Sequence, residues 1–243
     1  MSSRRSWLRA ALAMAAAFGS RATAQDRYAA ARENLLREIE SDMRETARET
    51  GHPALGAAVR RALATVPRER FVPAHLAASA YENRPLPIGE GQTISQPFIV
   101  ALMTELLQPK PDDVVLEVGT GSGYQAAVLA ECVAKVYSIE IVAPLARRAR
   151  ESLDAAGYRN VETRIGDGYL GWPEAAPFDG IIVTAAPDHV PPRLIEQLKP
   201  GGRLVIPVGP HRAVQELLVI ERTRDGSSTT RRTIAVRFVP LTR

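Results

Sequence analysis

The sequence has very few of the residues that form disulfides and metal centres. It contains a single cysteine, Cys132, so no disulfide can form within the chain and the cysteine content does not reveal the redox compartment. The four histidines are widely separated, and no two of them have the i, i+4 spacing of ligands on one helix face. We therefore expect no metal site, and we interpret Cys132, which ends an apolar segment, as a buried structural thiol.

Aromatic residues are also scarce, and this bears on the class of partner. They make up only 5% of the chain, while the net charge is +4, a balance that can indicate nucleic acid, a membrane surface or an acidic substrate. The basic residues lie among acidic ones, without a basic stripe that aromatic residues interrupt. We therefore expect a solvated basic surface, no nucleic-acid partner and no stable membrane association. The length of 243 residues suits one globular unit, which we expect to be a monomer.

The first 24 residues differ in composition from the remainder. A short apolar run at residues 10–19 follows three arginines, Arg4, Arg5 and Arg9. Residues 22–24 are small, as a signal peptidase prefers, and the apolar run is too short to span a bilayer. Residues 3–8 are similar to a bacterial twin-arginine signal, with Trp7 where that motif usually has phenylalanine. We interpret residues 1–24 as a signal peptide and expect a periplasmic location; an Ala-rich tail or a misplaced start codon are the alternatives.

Residues 25–110 have a largely helical pattern, and we expect them to form the substrate side of the molecule. Apolar residues recur at helical spacing in residues 27–49 and 55–66. The stretch 71–91 contains proline and glycine, shows little periodicity and is predicted to form ordered turns. A further helix is predicted over residues 97–107, with proline in its first turn.

From residue 111 onward, buried strands alternate with helices. Five strands are predicted, at residues 114–118, 136–140, 161–165, 180–184 and 203–208. This alternation, with one of its helices at 143–156, indicates an α/β fold with a doubly wound, mostly parallel sheet. Two further strand candidates, 217–221 and 233–239, flank a polar turn and predict an antiparallel hairpin that closes the sheet. We therefore expect one globular unit, residues 25–243, in which a helical extension precedes a Rossmann-like core (111–243).

A glycine-rich loop follows the first predicted strand: Gly119-Thr120-Gly121-Ser122-Gly123. Glycine at such a place lets the backbone turn sharply and approach a ligand closely. Tyr124 stands where the dinucleotide fingerprint G-x-G-x-x-G requires its last glycine, and Glu117 would repel a pyrophosphate. The loop has no Lys or Arg to hold phosphates, which excludes a P-loop. It therefore favours S-adenosylmethionine, which carries an ammonium and a sulfonium, over NAD.

Two further acidic residues follow predicted strands. Glu140 ends the second strand, where a carboxylate can accept hydrogen bonds from both ribose hydroxyls. Asp167 follows the third strand, where it can meet an adenine amino group while Gly168 keeps the chain close to the ring. Each acid alone is better explained as a solvated strand-end residue, but three of them at successive strand ends predict a cofactor site.

Several segments resemble the protein-L-isoaspartate O-methyltransferase family, which belongs to the class I S-adenosylmethionine-dependent methyltransferases. They are Arg70-Phe71-Val72-Pro73, residues 92–97, residues 116–126, Gly166-Asp167-Gly168, residues 200–209 and Phe238-Val239-Pro240-Leu241. The resemblance covers nearly all of residues 28–243. The glycine loop and the Pro-Gly-Gly segment occur in many methyltransferases, whereas the Thr-Ile-Ser-Gln-Pro segment is particular to this family. The N-terminal signal is a departure, because the family is usually cytoplasmic, and a cytoplasmic location is the alternative to export.

The resemblance implies a reaction and its partners. Members of the family transfer a methyl group from S-adenosylmethionine to the α-carboxylate of L-isoaspartyl residues, so the expected substrates are damaged proteins and peptides that contain isoaspartate. The family's reactive-site Ser or Thr falls at Ser95, and Thr93, Ile94, Gln96 and Pro97 are expected to line the same pocket. The alternatives are a methyltransferase of the same fold that acts on a small molecule, and a non-catalytic protein that binds S-adenosylmethionine.

Ser95 has two interpretations from its position alone. It stands just before the helix predicted at residue 97, where free backbone N–H groups and the helix dipole favour an anion. By position alone, a serine there is better explained as the N-cap of the helix and nothing more. The resemblance favours the acceptor site over the cap.

Overall fold

The computed structural model describes residues 28–211 and 213–243, so the predicted signal at 1–24 lies outside the described residues. The helical extension begins with α1 (28–45), α2 (Ala47–Thr50) and α3 (Ala57–Thr65). The single helix predicted over 27–49 is divided at Thr46, whose hydroxyl donates to the carbonyl of Asp42 at 2.8 Å. Such back-bonding by threonine bends helices, which explains the break.

A two-stranded hairpin follows two 3₁₀ turns, Arg68–Arg70 and Ala74–Ser79. Its antiparallel strands are β1 (Leu86–Gly89) and β2 (Gln92–Ile94). The prediction of turns throughout 71–91 is therefore wrong at its end, where β1 forms. Alternate residues of the hairpin are buried, namely Leu86, Ile88 and Ile94. The end of the hairpin begins residues 93–97, which we call the acceptor segment.

Helix α4 (Pro97–Leu107) has the predicted bounds, with proline in its first turn. Its N-terminus carries no side-chain cap from its own N-cap residue, Gln96. The N–H of Phe98, the second residue of α4, instead donates at 3.1 Å to the side-chain carbonyl of Asn83. The Asn83 amide group in turn donates to Asp42. A residue from an earlier loop thus caps this helix, a role that sequence position favoured for Ser95.

The seven-stranded sheet confirms the predicted α/β class. Its strands are β3 (Val114–Val118), β4 (Lys135–Glu140), β5 (Val161–Ile165), β6 (Phe178–Val183), β7 (Leu198–Val208), β8 (Gln215–Arg222) and β9 (Ser228–Val236). They lie in the order β5-β4-β3-β6-β7-β8-β9. The first five are parallel, and β8 and β9 add the antiparallel hairpin that the sequence predicted.

Both faces of the sheet are covered by apolar side chains. Val115 belongs to a cluster with residues of α4, α5 (Tyr124–Ala130) and α6 (Ala143–Ala156), whereas its neighbour Leu116 belongs to a second cluster with Leu194 of α7 (Pro192–Glu196). The first cluster also contains Leu35, Leu36 and Ile39 of α1, so the extension and the core share buried surface. Among the helices of the described residues, none is both long and apolar enough to cross a membrane.

The direction of winding reverses at β3. From β3 the chain continues to β4 and β5 on one side, and then to β6 and β7 on the other. In doubly wound sheets this switch point opens a crevice beyond the carboxyl ends of the strands, where ligands bind. The fold therefore directs attention to the ends of β3, β4 and β6.

Candidate active site

A cavity lies at this switch point and brings together two predicted groups of residues. Its lining includes these residues predicted to bind the cofactor: Glu117, Gly119, Thr120, Gly121, Ser122, Glu140 and Gly168. The members of the predicted acceptor group in its lining are Thr93, Ile94 and Ser95. Segments that are more than 20 residues apart in the chain thus share one cavity, with the acceptor segment facing the glycine loop.

The glycine loop is held in a conformation that leaves its backbone open to the cavity. Gly119 has φ +99°, and a Cβ atom added there would lie 2.5 Å from the Thr184 hydroxyl oxygen. That hydroxyl donates to the Gly119 carbonyl at 2.6 Å, and the Gly119 N–H donates to the carbonyl of Ile139 at 2.8 Å. A side chain at 119 would break this arrangement, so glycine is required for the turn.

Glu140 is a buried carboxylate that holds two loops at once. Its Oε2 accepts the Gly121 N–H at 2.8 Å, and its Oε1 accepts the Val142 N–H at 2.9 Å. A carboxylate oxygen can accept more than one hydrogen bond, so each oxygen keeps a lone pair. The geometry therefore suits two neighbouring hydroxyl donors, such as those of a ribose.

Glu117 is the penultimate residue of β3 and is completely buried. One of its oxygens accepts the Ser138 hydroxyl, while Oε1 has no hydrogen-bond partner within residues 28–211 and 213–243. Burial raises the pKa of Glu117 to about 8; the Ser138 hydrogen bond opposes this shift and the charge of Glu140 adds to it. An unpartnered carboxyl oxygen in a cavity wall is costly unless a ligand satisfies it, and a cation does so best. The residues present therefore fit a cofactor that carries an ammonium group.

Four predicted site residues are absent from the lining of this cavity: Gln96, Pro97, Gly123 and Asp167. Gly123 is the N-cap residue of α5 with φ +89°, and a Cβ atom added there would lie 3.2 Å from the Leu153 side chain. The Asp167 side chain accepts the Tyr169 N–H at 2.8 Å and so shapes the turn after β5. Gly168, the next residue, does line the cavity, and a Cβ atom there would collide with Val118.

A second, open cleft continues from the acceptor segment towards the surface. Thr93, Ser95 and Gln96 form part of its wall, together with apolar residues and the exposed Arg237. The apolar residues are Pro85, Ile99, Val214, Ala235, Val236, Phe238 and Val239. Ser95 and Thr93 line both spaces, so Ser95 lies at the junction between the deep cavity and a surface cleft.

Thr184 and residues 239–242 are among the lining residues that were not predicted. Thr184 directly follows β6, and the rule that ligands bind at the carboxyl ends of strands would have identified it. The C-terminal segment Val239–Thr242 also lines the cavity, and it is fixed there by backbone hydrogen bonds of 2.8 and 2.9 Å with Ala186. Part of that segment carries the family resemblance, but its position over the cavity depends on a contact that the sequence does not reveal.

The S-adenosylmethionine-dependent methyltransferase class is defined by three features of this site. They are a doubly wound sheet, a glycine loop without a basic residue, and carboxyl groups at the ends of β3 and β4. The family model for protein-L-isoaspartate(D-aspartate) O-methyltransferase matches residues 40–243. The chain belongs to this family.

Relatives from bacteria are similar over nearly their full length. The chain is 58% identical to protein-L-isoaspartate O-methyltransferase 2 of Syntrophobacter fumaroxidans, over 93% of this chain and 92% of that protein. It is also 58% identical to protein-L-isoaspartate O-methyltransferase 1 of Nitrosospira multiformis, over 88% of each.

Two solved structures have the same fold. A protein-L-isoaspartate O-methyltransferase structure superimposes with a TM-score of 0.72 at 28% identity; the match covers 86% of this chain and spans 65% of that chain's length. A Plasmodium falciparum structure in complex with S-adenosyl-L-homocysteine has a TM-score of 0.71 at 24% identity, with coverage of 88% and 98%. At that identity the second match bears on the fold alone.

The raised pKa of Glu117 makes a prediction about stability. In the unfolded chain this carboxyl ionises near pH 4.5, whereas in the folded protein it keeps its proton up to about pH 8. The folded state therefore binds more protons in this range, so Glu117 lowers the free energy of unfolding as the pH rises from 4.5 to about 8. The effect of one such proton is at most about 1.4 kcal/mol per pH unit. Glu117→Gln removes it.

Urea unfolding of the wild type and Glu117→Gln, measured across this pH range, tests the prediction. The variant should gain stability relative to the wild type as the pH rises, and the gain should level off above about pH 8. Glu174→Gln is the matched control, because Glu174 is exposed and its pKa is lowered by its own backbone and by Arg164. If the stability curves of Glu117→Gln and the wild type run parallel, the carboxyl is not held neutral in the folded state.

Proposed function

We propose that this chain transfers a methyl group from S-adenosylmethionine to the α-carboxylate of L-isoaspartyl residues in damaged proteins. The observation that carries the proposal is the position of Ser95, where a deep cavity with buried carboxyl groups meets a cleft open to the surface. A polypeptide in the open cleft can present a carboxylate to the deep cavity. Family membership over residues 40–243 and the bacterial relatives support the same reaction.

The reaction requires little acid–base catalysis by the protein. When bound, S-adenosylmethionine supplies a methyl group on a positively charged sulfur, and a neutral thioether remains after transfer. The acceptor carboxylate is already ionised at neutral pH, so no general base is needed. The work of the side chains is then to hold the acceptor in line with the methyl group. The methyl ester closes to a succinimide without enzymatic help, and hydrolysis of that ring returns some normal aspartate.

The cofactor is held, in this proposal, by residues at the strand ends. Glu140 accepts the ribose hydroxyls through the lone pairs that its two backbone contacts leave. The unpartnered Oε1 of Glu117 faces the ammonium group. Gly119 and Gly121 let the loop backbone approach the ligand, and Gly168 lets the turn after β5 pack closely against Val118.

The acceptor is positioned chiefly by the Ser95 hydroxyl. We expected free N–H groups at the start of α4 to attract the carboxylate as well. Pro97 has no N–H, and the Phe98 N–H is already bound to Asn83, so these two groups do not serve that purpose. Thr93 and Ile94 line the cavity beside Ser95, and Gln96 lines the open cleft. The open cleft favours a polypeptide acceptor over the small molecule of the alternative interpretation.

Transfer of labelled methyl from S-adenosylmethionine tests the function. An isoaspartyl peptide should become labelled by residues 25–243, and its normal aspartyl twin should not. The ester label should be volatile after base treatment, as expected for a carboxyl methyl group. Labelling of both peptides, or of neither, would contradict the proposal; binding of S-adenosylmethionine without any turnover would favour the non-catalytic alternative.

Ser95→Ala should lower the single-turnover rate while leaving the affinity for S-adenosylmethionine nearly unchanged. The loss of one hydrogen bond to a charged group corresponds to roughly 1.5–3 kcal/mol, or about one to two orders of magnitude in rate. Because Asn83 caps α4, the variant should also keep its free energy of unfolding within about 0.5 kcal/mol of the wild type.

Ser95→Thr is the matched control, since it keeps the hydroxyl and should retain much of the activity. Melting temperature and single-turnover rate are measured on the same samples. A wild-type rate in folded Ser95→Ala would remove Ser95 from the catalytic residues. Lower stability with an unchanged rate per folded molecule would identify it as a capping residue.

We further propose that the chain is exported through the twin-arginine route. The support is the pair Arg4-Arg5 before the apolar run at 10–19 and the small residues at 22–24. The mature protein should begin at or near Gln25 and be found in the periplasm. Replacement of both Arg4 and Arg5 by Lys should block export.

Arg9→Lys is the control for this experiment, because it keeps the charge and leaves the arginine pair intact. N-terminal sequencing of native protein from periplasmic and cytosolic fractions gives the readout. An intact segment in the cytosolic fraction would contradict the export proposal and support the cytoplasmic alternative.

A further inference from the structure

Arg68 is a completely buried cation between the acceptor segment and the glycine loop. Its Nε donates to the carbonyl of Ala80 at 2.8 Å, and its Nη2 donates to the carbonyl of Ser95 at 3.0 Å. Its guanidinium carbon lies 4.8 Å from the centre of the Tyr124 ring. The third nitrogen, Nη1, has no partner within the described residues.

This arrangement is costly for the fold. Burial lowers the pKa of Arg68 to about 10, so the group is still charged at neutral pH. Its two hydrogen-bond acceptors are backbone carbonyls rather than a carboxylate. A buried charge of this kind often contributes no more to stability than an apolar side chain of similar volume. Stability alone therefore does not explain why an arginine is buried at position 68.

The contacts of Arg68 connect the two halves of the site. Tyr124 directly follows the glycine loop and lines the deep cavity. Ser95 lines both the deep cavity and the open cleft. One rigid guanidinium thus touches a wall of the cofactor cavity and the backbone of the acceptor segment.

The hydrogen bond to the Ser95 carbonyl has a further geometric effect. A trans peptide group is planar, and its C=O and N–H point in opposite directions. Because the Ser95 carbonyl turns inward to Arg68, the N–H of Gln96 in the same peptide group turns away from the guanidinium. A charged donor on the carbonyl also polarises the peptide group and strengthens its N–H as a donor.

We propose that Arg68 is a positioning residue for methyl transfer, which fixes the Ser95–Gln96 peptide plane against the Tyr124 side of the cofactor cavity. It does not contact the acceptor itself. Arg68 sets the direction of the Ser95 side chain and of the Gln96 N–H. The acceptor carboxylate then contacts both groups while one of its oxygens faces the methyl group. The inference rests on the role proposed above for the acceptor segment.

Arg68→Met and Arg68→Lys test the inference. Arg68→Met removes the buried charge at similar volume but leaves the carbonyls of Ala80 and Ser95 without their donor. The melting temperature should therefore fall, while the protein remains folded at the assay temperature. Its kcat for an isoaspartyl peptide should nevertheless fall by roughly tenfold to a hundredfold, with a smaller change in KM and little change in the affinity for S-adenosylmethionine. Arg68→Lys should be intermediate, because one ammonium group cannot hold both carbonyls in the geometry of a planar guanidinium.

Arg32→Lys is the matched control. Arg32 also lies over a tyrosine ring, at 5.2 Å from the centre of Tyr81, and also donates to a backbone carbonyl, that of Ala64 at 3.0 Å. Unlike Arg68, it has no hydrogen bond to the acceptor segment, since its partners are Tyr81 and Ala64. Arg32→Lys should therefore change the melting temperature at most, and leave kcat per folded molecule unchanged.

A folded Arg68→Met enzyme with wild-type kcat would overturn the proposal. So would loss of fold in both Arg68 variants at the assay temperature, which would assign Arg68 to the fold rather than to the reaction. The role of the Ser95 hydroxyl is tested separately, because Arg68 binds the backbone carbonyl of that residue. A wild-type rate in Ser95→Ala together with a loss in Arg68→Met would reject the hydroxyl and retain the positioning of the peptide plane.

Discussion

The two hydrogen bonds of the Glu140 carboxylate organise the whole site. They join the N–H of Gly121, in the loop after β3, to the N–H of Val142, in the turn after β4. Neighbouring parallel strands would otherwise end in two independent loops. The shared carboxylate fixes the loops relative to each other, so that the backbone of the glycine loop faces the cavity before any ligand arrives. Preorganisation of this kind reduces the ordering that binding would otherwise require.

The sequence was most informative where local pattern and burial agree. Strand 114–118 and helix 143–156 have the predicted bounds, because a buried apolar run and a following Gly157 specify them locally. Strand 161–165 also has the predicted bounds, although only Val161 of its residues is buried. Strand β7 begins at Leu198 rather than 203, since Pro200 and Gly201 interrupt the apolar pattern without ending the pairing. The hairpin of β1 and β2 was missed for a related reason: Pro87 and Gly89 lie inside β1 and weaken the strand signal there.

The residues of the site likewise differ in whether the sequence could predict them. Glu117 and Glu140 were predictable because each lies in the last two residues of a strand, and parallel strands in a doubly wound sheet end at one edge. The cap of α4 was not predictable, because Asn83 reaches Phe98 across the hairpin and only the folded structure brings them together. Arg68 gave no signal at all. Its neighbours Pro67, Glu69 and Arg70 resemble a solvated turn, and a fully buried arginine has no local pattern that separates it from an exposed one.

The charges around Ser95 match the change of charge in the proposed reaction. The deep cavity holds the Glu140 carboxylate, and the acceptor side holds the buried Arg68 and the exposed Arg237. A cationic donor and an anionic acceptor are thus drawn to opposite sides of one hydroxyl. Methyl transfer makes both reacting centres neutral, as a thioether and an ester. Each loses part of its attraction to its own side of the site, so the distribution that favours binding of the reactants also favours departure of the products.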